Sequence, residues 1–153
     1  MIVGAGTTYD APTAALYVAY GANFVVGPVF NAEVARFCNR RKIPYMPGCG
    51  SATEISVAEE YGAEIVKVFP ADSVGGPAFV KSILGPSPWT RIMPTGGVDA
   101  SRESLFGWFK AGVTAVGIGT QMIRKYFLAV WNYDAITARV AEVLGCVREA
   151  RAA

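Results

Sequence analysis

Lys67 is the residue of this chain best placed to do chemistry. It sits inside Ile65-Val66-Lys67-Val68-Phe69-Pro70, a run that reads as a β-strand. Alternate side chains of a strand share a face, so Ile65, Lys67 and Phe69 point one way and Val66 and Val68 the other. Parallel strands are usually covered on both faces, which puts an ammonium group at the centre of a buried strand. An unpaired buried charge is expensive, and such a lysine gives up its proton readily. The neutral amine is then the nucleophile needed to form a Schiff base with a carbonyl substrate. Two structural alternatives stand beside this reading: a lysine reaching out from an edge strand, and a lysine paired with a carboxylate. The flanking valines and the following Phe69-Pro70 argue against the exposed edge.

Two glycine turns carry the second chemical signal. Thr95-Gly96-Gly97 lies between a strand-like and a helix-like segment, and Gly117-Ile118-Gly119-Thr120 closes the last strand-like run. Glycines there let backbone N–H groups approach an anion, helped by a nearby helix N-terminus. Either turn alone is common; two on consecutive strands are more specific. The chain has no His, which excludes Ser-His-Asp triads, Cys-His dyads and His-based zinc sites together.

The elements that must position these residues repeat along the chain. Apolar runs centred near residues 3, 25, 46, 67, 92 and 116 follow one another at intervals of about 21–25 residues. Helix-like segments separate them. Asp10 caps a segment that runs through Tyr20 and stops at Gly21. Asn31 caps the next, with Val34, Phe37 and Cys38 on one face. Ser51-Ala52-Thr53-Glu54 reads as a capping box closed at Gly62. Pro77 suits a first helical turn, with Gly85-Pro86 as the stop. Leu105, Trp108 and Phe109 share a face, and Ile136, Val140, Val143, Leu144 and Val147 form the last and longest stripe. Strand–helix alternation at this spacing means parallel βα units in one domain, residues 1–153. Two architectures compete: an open doubly wound sheet, and a (β/α)8 barrel or a piece of one. In such barrels the loops after the last two strands often form a phosphate site. If the two glycine turns are those loops, the six strands count as strands three to eight.

Composition narrows the classes further. The chain has 153 residues, 52% hydrophobic and only 17% charged, against about 25% charged in a typical soluble domain. The net charge of +2 gives no electrostatic case for nucleic acid or an acidic membrane surface. No run approaches the length of a membrane span, and nothing at the start reads as a signal peptide, so the expected compartment is the cytoplasm. Cys38, Cys49 and Cys146 are odd in number and lack metal-type spacing, and read as reduced thiols. Cys49, in a Gly-rich loop, reads either as a pocket residue or as a small buried filler. The mixed aromatic and basic segment Met122–Trp131 reads as a packing or subunit-contact loop rather than a nucleic-acid surface. Arg36, Arg40, Arg41 and Lys42 read as a solvated helix end.

The motifs Gly4-Ala5-Gly6-Thr7, Pro47-Gly48, Val66-Lys67-Val68-Phe69-Pro70-Ala71 and Pro94-Thr95-Gly96-Gly97-Val98 together resemble one family: the class I 2-keto-3-deoxy-6-phosphogluconate (KDPG) and 4-hydroxy-2-oxoglutarate (KHG) aldolases. The match runs over essentially the whole chain. The resemblance implies a (β/α)8 barrel, usually trimeric, acting without metal or organic cofactor on a small phosphorylated keto acid to give pyruvate and glyceraldehyde 3-phosphate. Residue by residue, Lys67 resembles the Schiff-base lysine. Thr7 resembles the hydroxyl that contacts the pyruvate unit, and Pro28, Phe69 and Thr95 match residues lining its pocket. Gly96, Gly97 and Gly119 match phosphate-binding glycines. Thr120 and Gln121 stand where the family commonly has Gly-Ser; both are bulkier, and both can still donate hydrogen bonds. The family carries two further βα units before the strand that opens this chain, with a proton-transferring glutamate and a carboxylate-binding arginine that match no residue here. A partial barrel of six units is therefore expected, with apolar surface open to association.

Three functional readings follow. The first is a Schiff-base aldolase working through Lys67. The second is a non-catalytic remnant that binds a phosphorylated ligand or self-associates. The third is an open, flavodoxin-like phosphate-binding domain with a structural Lys67.

Overall fold

A computed structural model describes residues 2–123 and 132–153. Six short strands alternate with helices: β1 (Gly4–Ala5), α1 (Ala11–Ala19), β2 (Phe24–Val26), α2 (Ala32–Arg41), β3 (Tyr45–Met46), β4 (Gly48–Cys49), α3 (Ala52–Glu60), β5 (Val66–Val68), α4 (Gly76–Leu84), β6 (Ile92–Pro94), α5 (Arg102–Lys110) and α6 (Tyr133–Ala152). The result is an α/β fold with six helices among the described residues and two small parallel sheets, ordered β1-β2-β3 and β4-β5-β6.

Local chemistry explains where the helices begin. Asp10 accepts from Thr13 N–H at 2.8 Å, and Asn31 accepts from Glu33 N–H at 2.9 Å and Val34 N–H at 3.1 Å. Each satisfies donors that a helix N-terminus leaves without partners, worth about 1 kcal/mol per cap. α2 ends at Lys42 rather than at a glycine, with φ 58 in the left-handed region. The predicted capping box is modified. Ser51 accepts from Glu54 N–H at 3.3 Å, but the Glu54 carboxylate reaches one residue further back, to Gly50 N–H at 2.7 Å.

Within each sheet the strands pair in sequence order, all in parallel. No strand order reverses, so neither sheet has the switch point that defines a doubly wound fold, and the flavodoxin-like reading is set aside. The third apolar run is split at Pro47. Tyr45 and Met46 pair with β2, while Gly48 and Cys49 pair with β5. Proline has no N–H to give to a ladder, and the division falls on it. Cys49 therefore lies on a buried strand, not in a loop, and it packs in the core as filler.

The last run, Ala115–Ile118, forms no strand. It makes one isolated bridge, Gly117 to Thr95. Glycines at 117 and 119 weaken an extended segment through their conformational freedom.

The core is built on the helix side of the sheets. Val66, Val68 and Ile92 are fully buried against Val80, Ile83 and Trp108. Burial of each aliphatic chain stabilises the fold by roughly 1.5–3 kcal/mol. A second cluster gathers Val25, Val34, Cys38 and Tyr45, and Phe30 packs against both. A third joins Leu105 to Val143, with Met122 and Val147 against it. Leu144, expected on the buried stripe of α6, is instead 49% exposed, because the stripe that packs runs through Val143 and Val147. The rest of the Met122–Trp131 segment, from residue 124 to 131, lies outside the described residues. No helix among the described residues is long and apolar enough to cross a membrane.

Candidate active site

β5 is paired on both sides, with Lys67 in register with Gly48 of β4 and Met93 of β6. This removes the edge-strand alternative. Val66 and Val68 enter the core, so Lys67 faces the other way, and it is still only 8% exposed. No ion pair or side-chain hydrogen bond reaches its ammonium group among the described residues, which removes the carboxylate-pair alternative. Among the described residues its ammonium group meets the Phe69 ring, with Nζ 4.6 Å from the centroid. A cation–π contact of this kind returns about 1 kcal/mol, well short of a full ion pair in a buried site. Burial accordingly pushes the Lys67 amine below its ordinary value of 10.5.

Phe69 and Thr95 follow the last residues of β5 and β6, at the carboxyl end of the sheet. In parallel α/β folds this is the end where ligands bind. The two chain segments are laced together there. Thr95 N–H donates to the Val68 carbonyl at 2.9 Å, and Ala71 N–H donates to the Thr95 carbonyl at 3.0 Å. The Thr95 hydroxyl is buried without a hydrogen-bond partner among the described residues. Gly117 faces it, and a Cβ at 117 would lie 2.3 Å from that oxygen. Gly96 packs on Phe69, a Cβ there falling 3.5 Å from the ring. Lys67, Phe69, Thr95 and Gly96 thus form one contiguous patch.

The glycine turn has the form its sequence implies. Gly96 and Gly97 have φ 83 and 79, a left-handed pair that side chains disfavour. The N–H groups of Gly97 and Val98 donate to no partner among the described residues. Successive free N–H groups in such a turn form an anion-binding concavity. Pro28 reaches the same region from β2. Its carbonyl sits so close to Gly48, the register partner of Lys67, that a Cβ at 48 would be 2.1 Å from the oxygen.

Other predicted residues are placed less closely. Thr7 is exposed at the end of β1, and no contact links it to Lys67 among the described residues. Its neighbour Thr8 is the buried one, with an unpartnered hydroxyl. Gly119 and Thr120 are exposed after the last run. Gln121 ties that run to the glycine turn: its carbonyl oxygen accepts from Ala100 N–H at 3.4 Å and its amide donates to Asp99 at 3.5 Å. That carboxamide is therefore already engaged. Asp99 is held below the usual carboxylate range, chiefly by the Ser101 N–H bond at 2.7 Å.

Two residues at this end escaped the sequence reading. Glu54 enters the sequence reading only as a capping residue, yet its carboxylate folds back over the end of β4 to Gly50. The modified capping box was its only signal. Asp72 lies directly under Gly97, and nothing local in the sequence announces that contact. Among the described residues no three His, Cys, Asp or Glu side chains stand close enough to share a metal ion.

Fold and site define a class: a parallel α/β protein that presents a buried, unpaired lysine beside a glycine anion turn at the carboxyl ends of its strands. The chain belongs to the KDPG and KHG aldolase family, whose sequence profile matches residues 1–139. It is 35% identical over 147 residues to the 2-dehydro-3-deoxy-phosphogluconate aldolase of Treponema pallidum, covering 96% of this chain and 69% of that one. It is 45% identical over 124 residues to the Pseudomonas aeruginosa protein of the same name, covering 80% of this chain and 55% of that one. Among solved structures it superposes on the Legionella pneumophila KDPG aldolase, which holds pyruvate as a covalent carbinolamine intermediate captured at low pH. The TM-score is 0.82 at 28% identity, over 96% of this chain and 68% of the other. The chain thus spans from about half to just over two thirds of the length of these relatives.

Proposed function

We propose that this chain is a Schiff-base aldolase acting on a 2-keto-3-deoxy sugar acid phosphate of the KDPG type, or on 4-hydroxy-2-oxoglutarate. The observation that carries the reading is Lys67: buried, unpaired and deprotonation-prone at the centre of β5. Its neutral amine adds to the C2 carbonyl, and water leaves to give the iminium. The C3–C4 bond then breaks, its electron pair passing into the iminium to form an enamine. The C4 hydroxyl gives up its proton as the aldehyde departs. Protonation at C3 and hydrolysis release pyruvate and restore the amine. Thr7, Pro28, Phe69 and Thr95 hold the pyruvate unit. Gly96 and Gly97, joined by Gly119, Thr120 and the backbone of Gln121, receive the phosphate of the aldehyde half.

The six βα units are read as units three to eight of a (β/α)8 barrel, in one domain spanning 1–153. The sequential parallel pairing supports this, and a homotrimer is the assembly the family suggests. Incubation with pyruvate and borohydride tests the chemistry. A reduced pyruvyl adduct on Lys67 is expected, and a chain that forms none is not an aldolase of this type.

One observation favours a second reading. No carboxylate reaches the Lys67 ammonium among the described residues, and a placed acid–base group is worth about 10²–10⁴ in rate. A chain lacking one would bind phosphate esters, or associate with itself, without turnover. Measurable release of pyruvate from KDPG excludes that alternative.

A further inference from the structure

Asp72 has no part in the chemistry set out above, yet it packs against the glycine turn read as the phosphate site. It follows β5 by four residues, on the segment that continues from Lys67 and Phe69. Its side chain packs directly on the glycine turn: a Cβ at Gly97 would lie 2.1 Å from Asp72 Cβ and 2.9 Å from its carboxyl carbon. Its backbone is fixed at both ends, Asp72 N–H donating to the Gly96 carbonyl at 3.1 Å and its own carbonyl accepting from Gly75 N–H at 3.2 Å. The residue is exposed, and no hydrogen bond or ion pair reaches its carboxylate among the described residues. Asp99, the other carboxylate at this turn, is by contrast occupied by Ser101 and Gln121.

A free carboxylate beside an anion-binding turn works against phosphate. Like charges a few ångströms apart repel unless something between them offsets the repulsion. An ionised carboxylate only accepts hydrogen bonds, so the group that suits it is a hydroxyl carried next to the phosphate. We infer that Asp72 is a specificity-determining residue that accepts hydrogen bonds from hydroxyls on the carbon chain between the keto group and the phosphate. It would favour polyhydroxylated phosphate esters over bare ones. The inference rests on the proposed placing of phosphate at Gly96 and Gly97, and it deepens that reading by naming the hydroxylated segment as the recognised part.

The test measures binding of sn-glycerol 3-phosphate and n-propyl phosphate to the wild type, Asp72→Asn and Asp72→Ala by titration calorimetry. The backbone bonds that hold the turn survive both substitutions. The wild type is expected to prefer the glycerol ester about tenfold, the scale of a hydrogen bond to a charged group. Asp72→Ala abolishes the preference and binds propyl phosphate more tightly than the wild type does. Asp72→Asn keeps part of the preference, since its amide oxygen still accepts. A preference unchanged in Asp72→Ala overturns the inference. Equal weakening of both esters, or no binding of either to the wild type, overturns it too. Pyruvate–borohydride trapping on the same three proteins separates the two ideas. A missing adduct defeats the lysine chemistry, whereas a normal adduct with an unchanged hydroxyl preference defeats Asp72 alone.

Discussion

A close contact within the glycine turn gives the sharpest stability prediction. Gly97→Ala adds one methyl group at a residue with φ 79, 2.1 Å from the Cβ of Asp72 and 3.2 Å from its Cα. The left-handed conformation costs an alanine about 1–2 kcal/mol. Forcing a Cβ into an occupied space costs about 1–3 kcal/mol more, because Asp72 is held at both ends by backbone bonds and cannot swing clear. The sum, about 3 kcal/mol, should lower the urea midpoint by about 1.5 M at a slope near 2 kcal/mol per M. Gly107→Ala is the control. That glycine is in the interior of α5 with nothing among the described residues outside its own helix backbone within 4 Å of its added Cβ, so the substitution should stabilise by about 1 kcal/mol. A double-mutant cycle isolates the collision. Asp72→Gly removes the obstructing Cβ, whereas Asp72→Ala does not. Gly97→Ala in the Asp72→Gly background should therefore lose only the conformational part, about half the full penalty. A Gly97→Ala protein within about 0.5 kcal/mol of the wild type refutes the reasoning. So does a penalty that is the same with and without the Asp72 side chain.

Three further predictions follow from the same geometry. Gly48→Ala should be worse than Gly97→Ala, since the obstacle 2.1 Å away is the Pro28 backbone rather than a side chain; a soluble, fully folded variant by circular dichroism would contradict this. Lys67→Met should stabilise the fold by about 1–2 kcal/mol at neutral pH by removing an unpaired buried cation. The lysine amine is depressed below 10.5 in the folded state, so between the two values the unfolded chain holds a proton that the folded one lacks. Wild-type stability therefore rises with pH across that window, and the advantage of methionine shrinks as pH approaches 10.5, which denaturant melts at several pH values will follow. Burial pushes the thiols of Cys38 to about 11 and Cys49 to about 12, so at pH 8 native protein should expose one fast-reacting thiol, Cys146, and all three after unfolding, by maleimide labelling.

What the sequence disclosed follows from how far each physical rule reaches. The caps at Asp10, Asn31 and Ser51 obey a rule that spans three residues, and helices begin at each of them. Lys67 was legible because alternation and flanking valines are local to one strand, and its pairing on both sides follows from the βα repeat. The contacts that escaped are tertiary. Asp72 meets Gly97, and Pro28 meets Gly48, across about one whole strand–helix unit, and only glycine marks the second partner. Thr7 and Thr8 are alike on paper, and the pleat of the chain after β1 decides which is buried. The Ala115–Ile118 run has the composition of a strand, but two glycines leave it with a single bridge.

The sequential order of the strands has a kinetic consequence. The pairings Gly4 to Phe24, Val25 to Tyr45 and Gly48 to Lys67 each close a loop of similar length, about twenty residues. No pairing waits for a distant part of the chain, so contact order stays low for a parallel sheet. Within this segment each later strand pairs with a strand made shortly before it, so these pairings can form in the order of synthesis. The division at Pro47 falls between the β1-β2-β3 pairing and β4, which opens the sheet that carries Lys67.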